Sequence, residues 1–204
     1  MKKSMTITYT VGDGLYVNVT NRCSNRCGFC IRNNGDGAYG SDSLWLEQEP
    51  TAEQIIDAIE GSFSAMHKEL VFCGYGEPSY RLRDIETVVK AFKENHPGVK
   101  VRINTNGHSD LIFGSDSAPF YSVFDTVSIS LNAPTKDKYN EICKPIFAED
   151  AFDSIIKFAS KVKNYAGSVI FSVVDHFISD EEIEECKKIA DRCAIPLRVR
   201  AYID

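Results

Sequence analysis

No apolar run in this 204-residue chain approaches the ~18 residues that a membrane-spanning helix needs. The opening M-K-K-S-M-T-I-T-Y-T has two lysines but no apolar stretch behind them, so it does not read as a secretory signal. A cytoplasmic chain with no membrane partner is expected. Excess positive charge is also missing. Twenty-three basic residues face twenty-nine acidic ones for a net charge of −6, which argues against a duplex nucleic-acid binder while leaving a local basic patch open. Seven cysteines, odd in number and unevenly spaced, do not form the pattern of a secreted disulfide framework. There is no repeat of fixed period, no low-complexity tract and no interdomain linker. With 43% hydrophobic residues the chain can bury a proper core, and residues 1–204 read as a single domain.

What the chain does have is concentrated between Asn18 and Arg32, in N-V-T-N-R-C-S-N-R-C-G-F-C-I-R. Cys23, Cys27 and Cys30 follow directly on an apolar, β-branched run, Leu15–Thr20, that reads as a strand. Thiolates are soft ligands that select zinc or iron–sulfur clusters. A structural zinc site takes four protein ligands, often as two Cys-x-x-Cys pairs, whereas only one such pair is present and no histidine lies nearby. Three thiolates in one tight loop fit three corners of a [4Fe–4S] cluster and leave its fourth iron open. A zinc or electron-transfer site completed by a distant cysteine stays open as an alternative, with Cys73 as the donor because it too ends a strand.

Downstream, strands alternate with helical patterns. Residues 31–50 are rich in Gly, Asp and Asn and read as a long loop, of the length that is usually functional or disordered. Thr51 and Gln54 form a capping box for a helix carrying Ile55, Ile56, Ile59 and Phe63. Further strands are expected at Glu69–Cys73, Val99–Asn104, Asp125–Leu131, Ser168–Val174 and Pro196–Ile203. Helices are expected around Leu82–Phe92, Phe152–Val162 and after the Ser179–Glu182 cap. Six βα units imply an α/β fold with a parallel sheet and ligands at the strand C-termini. Six are too few for the eight-stranded closed barrel. The expected fold is a partial, open (β/α)6 barrel with a curved sheet.

Cys-x3-Cys-x2-Cys after the first strand resembles the signature of the radical S-adenosylmethionine (radical SAM) superfamily, whose core is such a partial barrel. The resemblance runs from Leu15 to Asp204. It implies that Cys23, Cys27 and Cys30 hold a [4Fe–4S] cluster whose open iron takes S-adenosylmethionine (SAM). One electron then cleaves SAM, and the 5′-deoxyadenosyl radical released abstracts hydrogen from a substrate. Phe29 matches the aromatic found before the third cysteine, where burial helps set the reduction potential. C-G-Y-G-E-P resembles the glycine-glycine-glutamate motif and assigns Gly76 and Glu77 to the SAM methionine moiety; Tyr75 departs from the usual glycine. Ser130 and Asn132 after the fourth strand, and Asn104 and Asn106 in N-T-N-G after the third, correspond to further SAM contacts. Val173 and Val174 on the fifth strand, with Arg200 to Tyr202 on the sixth, lie where the family meets adenine.

T-N-R-C-S-N-R-C-x-F-C-I-R, Y-N-E-I-C-K-P and R-V-R-A-Y-I look like the small TatD-associated radical SAM proteins. That branch implies a link to a TatD-type hydrolase and an electron donor such as flavodoxin or ferredoxin, under anaerobic conditions. The chain stops at the sixth strand, so the mouth is expected to be wide, capped at most by the 31–50 loop with its lone Trp45, and the substrate to be large, even macromolecular. The catalytic residues that would meet that substrate are not identified by the resemblance. An iron–sulfur carrier or sensor and a zinc-stabilised binding module remain the competing classes. Cys186 and Cys193 fall at helical spacing with Ile183, Ile189 and Ala190 and read as core thiols. Cys143 is expected to pack, and His108 and His176 are candidate substrate contacts past strand ends.

Overall fold

The computed structural model describes residues 2–202. Seven strands form one sheet whose spatial order is the chain order: β1 (Thr8–Val11), β2 (Gly14–Val17), β3 (Glu69–Phe72), β4 (Lys100–Thr105), β5 (Thr126–Ser130), β6 (Val169–Val174) and β7 (Leu197–Arg200). From β2 to β7 every neighbouring pair is parallel. These six are the strands expected from the sequence, in an open, partial barrel. The seventh is an addition. β1 folds back antiparallel on β2 through a Gly12–Asp13 turn in which Gly12 takes φ +60°, a left-handed conformation that glycine adopts without steric cost. Ile203, the expected end of the last strand, lies outside the described residues.

Six helices fill the connections: α1 (Ala52–Ser62), α2 (Leu82–Asn95), α3 (Ser109–Phe113), α4 (Lys136–Cys143), α5 (Ala151–Val162) and α6 (Asp180–Cys193). Both expected capping boxes are formed, Thr51 with Gln54 and Ser179 with Glu182. α4 was not anticipated. Thr135 starts it by accepting the Lys138 amide, and it ends at Lys144 in a left-handed conformation. Among the described residues no helix is long and apolar enough to cross a membrane.

Alternation along the strands divides the sheet into two unlike faces. Leu15, Val17, Leu70, Phe72, Val101, Ile103, Val127, Ile129, Phe171 and Val173 are buried in one cluster with Ile55, Ile59, Ile85, Val88, Val89, Phe92, Ile155 and Phe158 of the helices. Burying each large aliphatic side chain contributes about 1.5–3 kcal/mol, so this layer dominates the stability. The intervening positions include Arg102, Asn104, Ser128, Ser130, Ser172, Arg198 and Arg200, which line cavities instead. A parallel sheet packed on both faces would be apolar on both. This one carries polar side chains on its second face, with Tyr16 and Val174 interspersed, where the cavities lie. Cys186 is fully buried and Cys193 packs against the same apolar layer, as their spacing predicted.

Candidate functional site

The cysteine loop leaves the end of β2 and is held by two neighbours. α4 supplies carbonyls: Cys143 O accepts the Arg26 amide at 2.9 Å and Ile142 O the Gly28 amide at 3.1 Å, while Ile146 donates back to Ser24 O at 2.8 Å. Beneath the loop runs a buried polar network. Ser24 Oγ lies 3.1 Å from His108 Nδ1, Tyr139 OH lies 3.2 Å from His108 Nε2, and Asn25 Nδ2 donates to Tyr139 OH at 2.9 Å. Asn106 Nδ2 donates to the same Ser24 hydroxyl at 2.7 Å. His108 is therefore a support of the loop and not a substrate contact: it is 0% exposed, and desolvation pushes its pKa down to about 4, keeping it neutral.

A chamber of about 170 Å³ collects Cys23, Cys27, Cys30, Glu77, Asn104, Asn106, Ser130 and Asn132, eight of the eleven site residues expected from sequence. Val174 and Tyr202 line an adjoining cavity of about 480 Å³. Gly76 lines neither. A Cβ there would collide with the Thr20 and Arg22 carbonyl oxygens, so the glycine lets β3's end pass under the cysteine loop. Tyr75 is 2% exposed and lines the larger cavity, not the chamber, its OH donating to Gly35 O at 3.0 Å and its ring edge-on to Trp45.

Glu77 is 3% exposed and accepts from four donors: Ser79 N, Ser79 Oγ, Thr105 Oγ1 at 2.7 Å and Asn106 N at 2.7 Å. Burial pushes its carboxyl above the ordinary value, and these bonds oppose that shift. Asn132 takes a left-handed φ of +60°, donates to Cys143 Sγ at 3.5 Å, and leaves its Oδ1 buried without a partner. Burial drives the Cys23 thiol up to about 12 and raises that of Cys30; for Cys27 the first cause is a hydrogen bond with the Cys143 thiol, then burial. Arg32, which donates to Asn25 O at 3.1 Å, opposes all three rises. A cation bound among the thiols would reverse these shifts and hold them as thiolates. Among the described residues no three His, Cys, Asp or Glu side chains gather as they would around a single metal ion.

The 31–50 loop has little regular structure but is firmly tied down. Asn18 Nδ2 donates to Leu44 O at 2.8 Å and Asn21 exchanges bonds with Leu46 at 2.8 and 3.0 Å. Leu44 and Ala38 pack with Tyr9 and Tyr75 in a second apolar cluster. The loop walls the larger cavity through Ile31, Ala38, Tyr39 and Leu44, whereas Trp45, the expected cap, lines neither space. His176 also lines neither; at φ +75° it stacks on Tyr202, and Phe177 joins that pair to Phe29. Sequence reading missed Ser24, Asn25 and Tyr139 as supports. The polar pair inside C-S-N-R-C was the available signal.

A model of the radical SAM superfamily matches residues 17–190. A curated GTP 3′,8-cyclase from Lactiplantibacillus plantarum is 28% identical over 144 residues, covering 70% of this chain and 40% of that protein. Among solved structures, Streptococcus suis SuiB bound to precursor peptide SuiA superposes with a TM-score of 0.70 at 20% identity, over 94% of this chain and 39% of that one. A radical SAM methyltransferase from Sphaerobacter thermophilus gives 0.63 at 17% identity, over 95% and 68%. The chain thus spans about 40% of the length of the curated relative and of SuiB, and the structural likenesses carry the fold.

Proposed function

This chain belongs to the radical SAM superfamily and carries its catalytic domain, and from that premise we propose that it cleaves SAM at a [4Fe–4S] cluster held by Cys23, Cys27 and Cys30. When bound, the cluster and SAM supply a 5′-deoxyadenosyl radical that takes a hydrogen atom from substrate. The observation that carries the reading is one chamber in which three thiols from a single loop meet the Glu77 carboxylate and the unpartnered Asn132 Oδ1. This donor set fits: soft thiols suit iron, and an acceptor oxygen without a partner suits the ammonium or hydroxyls of SAM.

The chain's own residues have separable tasks in this proposal. The Ser24–His108–Tyr139–Asn25 network fixes the loop so that the three thiols face one space. Glu77, Ser130 and Asn132 hold the polar end of SAM, and Asn104, Asn106, Val174 and Tyr202 line its path. Phe29, against Phe177, keeps water from Cys30. The ordered 31–50 loop walls one side, so the part of the substrate that reaches the reacting carbon is compact, whatever its size outside. A flavodoxin- or ferredoxin-type donor, a TatD-type hydrolase as functional companion and an anaerobic, cytoplasmic setting complete the proposal.

The test is anaerobic reconstitution with iron and sulfide, followed by dithionite and SAM. Release of 5′-deoxyadenosine that disappears in Cys27→Ala is the expected result. A reducible cluster that leaves SAM intact would make the chain an electron carrier or sensor instead. Stoichiometric zinc without iron would make it a binding module.

A further inference from the structure

Cys143, at the end of α4 in Y-N-E-I-C-K-P, is a buried thiol that the proposed chemistry leaves unused. It is 0% exposed and lines neither cavity, yet it lies against the cysteine loop. The residues on either side of Cys27 both donate to this turn of α4, Arg26 N to Cys143 O at 2.9 Å and Gly28 N to Ile142 O at 3.1 Å. Main chains that hydrogen-bond side by side run about 5 Å apart, within the ~4.4–6.8 Å between Cα atoms that a disulfide spans. The side chains meet as well, the Cys27 thiol hydrogen-bonding that of Cys143. Both are free thiols.

The two differ in access. Cys27 lines the chamber and is partly exposed, whereas Cys143 is sealed behind it. Asn132 Nδ2 donates to Cys143 Sγ at 3.5 Å, a contact that favours negative charge on that sulfur. An accessible thiol that meets an oxidant, backed by a second thiol placed to attack it, is the arrangement of a sensitive cysteine and its resolving partner.

We propose that Cys143 is a resolving cysteine, closing a reversible disulfide with Cys27 when the loop carries no cluster and a peroxide is present. In the first step the peroxide O–O bond breaks, an S–O bond forms at Cys27 and water leaves, giving a sulfenic acid. The Cys143 sulfur then attacks the Cys27 sulfur. The S–S bond forms, the S–O bond breaks, and the hydroxyl departs with the Cys143 proton as a second water. Two thiols have then given two electrons to one peroxide, and a dithiol reductant returns them. The disulfide keeps Cys27 from reaching the sulfinic acid, which ordinary thiols do not reduce. Its value to the protein rests on the reading of Cys27 as a cluster ligand, because it is that ligand which is preserved.

The metal-free full chain, treated with hydrogen peroxide, alkylated in denaturant, digested without reduction and mapped by mass spectrometry, tests this. The expected product joins the Cys27 peptide to the Cys143 peptide. Dithiothreitol should remove it, after which iron and sulfide load as in untreated protein. In Cys143→Ala and Cys143→Ser the same peroxide dose should carry Cys27 to the sulfinic acid, and iron loading after dithiothreitol should fall severalfold. Cys27 joined mainly to Cys23 or Cys30, Cys143 recovered fully alkylated, or equal iron loading by variants and wild type overturns the proposal. The peptide map of the wild-type chain needs no cluster and no variant. It decides the linkage even if the untreated chain fails to take up iron, a failure that strikes the cluster reading alone.

Discussion

The Glu77 carboxylate accepts the backbone N–H of Asn106 at 2.7 Å and so ties the end of β3 to the end of β4. Its other oxygen takes Thr105 Oγ1 and Ser79. The residue proposed to bind SAM is thus also a buried junction of the fold. Glu77→Gln leaves a backbone donor or a hydroxyl without its acceptor, which costs about 1–3 kcal/mol. Urea unfolding should show that loss even without SAM. Calorimetry should show weaker SAM binding on top of it. A variant that unfolds at the wild-type midpoint would refute the junction.

Two glycines in the same region should respond unequally to alanine. Gly76→Ala forces a Cβ into the Thr20 and Arg22 carbonyls, and overpacking of this kind costs about 1–3 kcal/mol. Gly28→Ala meets nothing within 4 Å and should shift the unfolding free energy little. Equal effects in denaturant titrations would mean that the loop does not cross β3 so closely.

His108 sets an acid limb. The unfolded chain takes up a proton near pH 6.5 that the buried ring refuses until about 4. This stabilisation is complete above pH 6.5 and is lost as pH falls toward 4, amounting to about 3 kcal/mol over that window. His108→Gln should flatten the fall in unfolding free energy across it. If the slope persists in the variant, another group governs acid sensitivity.

Tyr139→Phe removes the hydroxyl between Asn25 and His108. It should destabilise the chain by about 1–2 kcal/mol and speed iron loss to a chelator, because the cysteine loop rests on this network. Iron retention at the wild-type rate would show that the α4 carbonyls alone hold the loop.

The βα alternation, the two capping boxes and the cysteine spacing were legible in the sequence because each is a local pattern, settled within a turn or a strand. So was the grouping of Cys23, Cys27 and Cys30, proposed here as cluster ligands, since they lie within eight residues. β1 was overlooked although V-G-D-G marks its turn, and α4 although Thr135 caps it. The partners of these pieces were not legible. Ser24 reaches His108 across 84 residues and Asn25 reaches Tyr139 across 114, and nothing in local spacing announces either contact. The sequence by itself determined which groups could ligate metal and which faces would be apolar, because strand and helix periods are properties of the chain. Only the tertiary structure decided that Glu77 is shared with the fold, that His108 lies under the loop, and that the Arg200 Nε is buried without a hydrogen-bond partner among the described residues. Those outcomes depend on which strand ends meet, and the strand ends meet only once the sheet has curved.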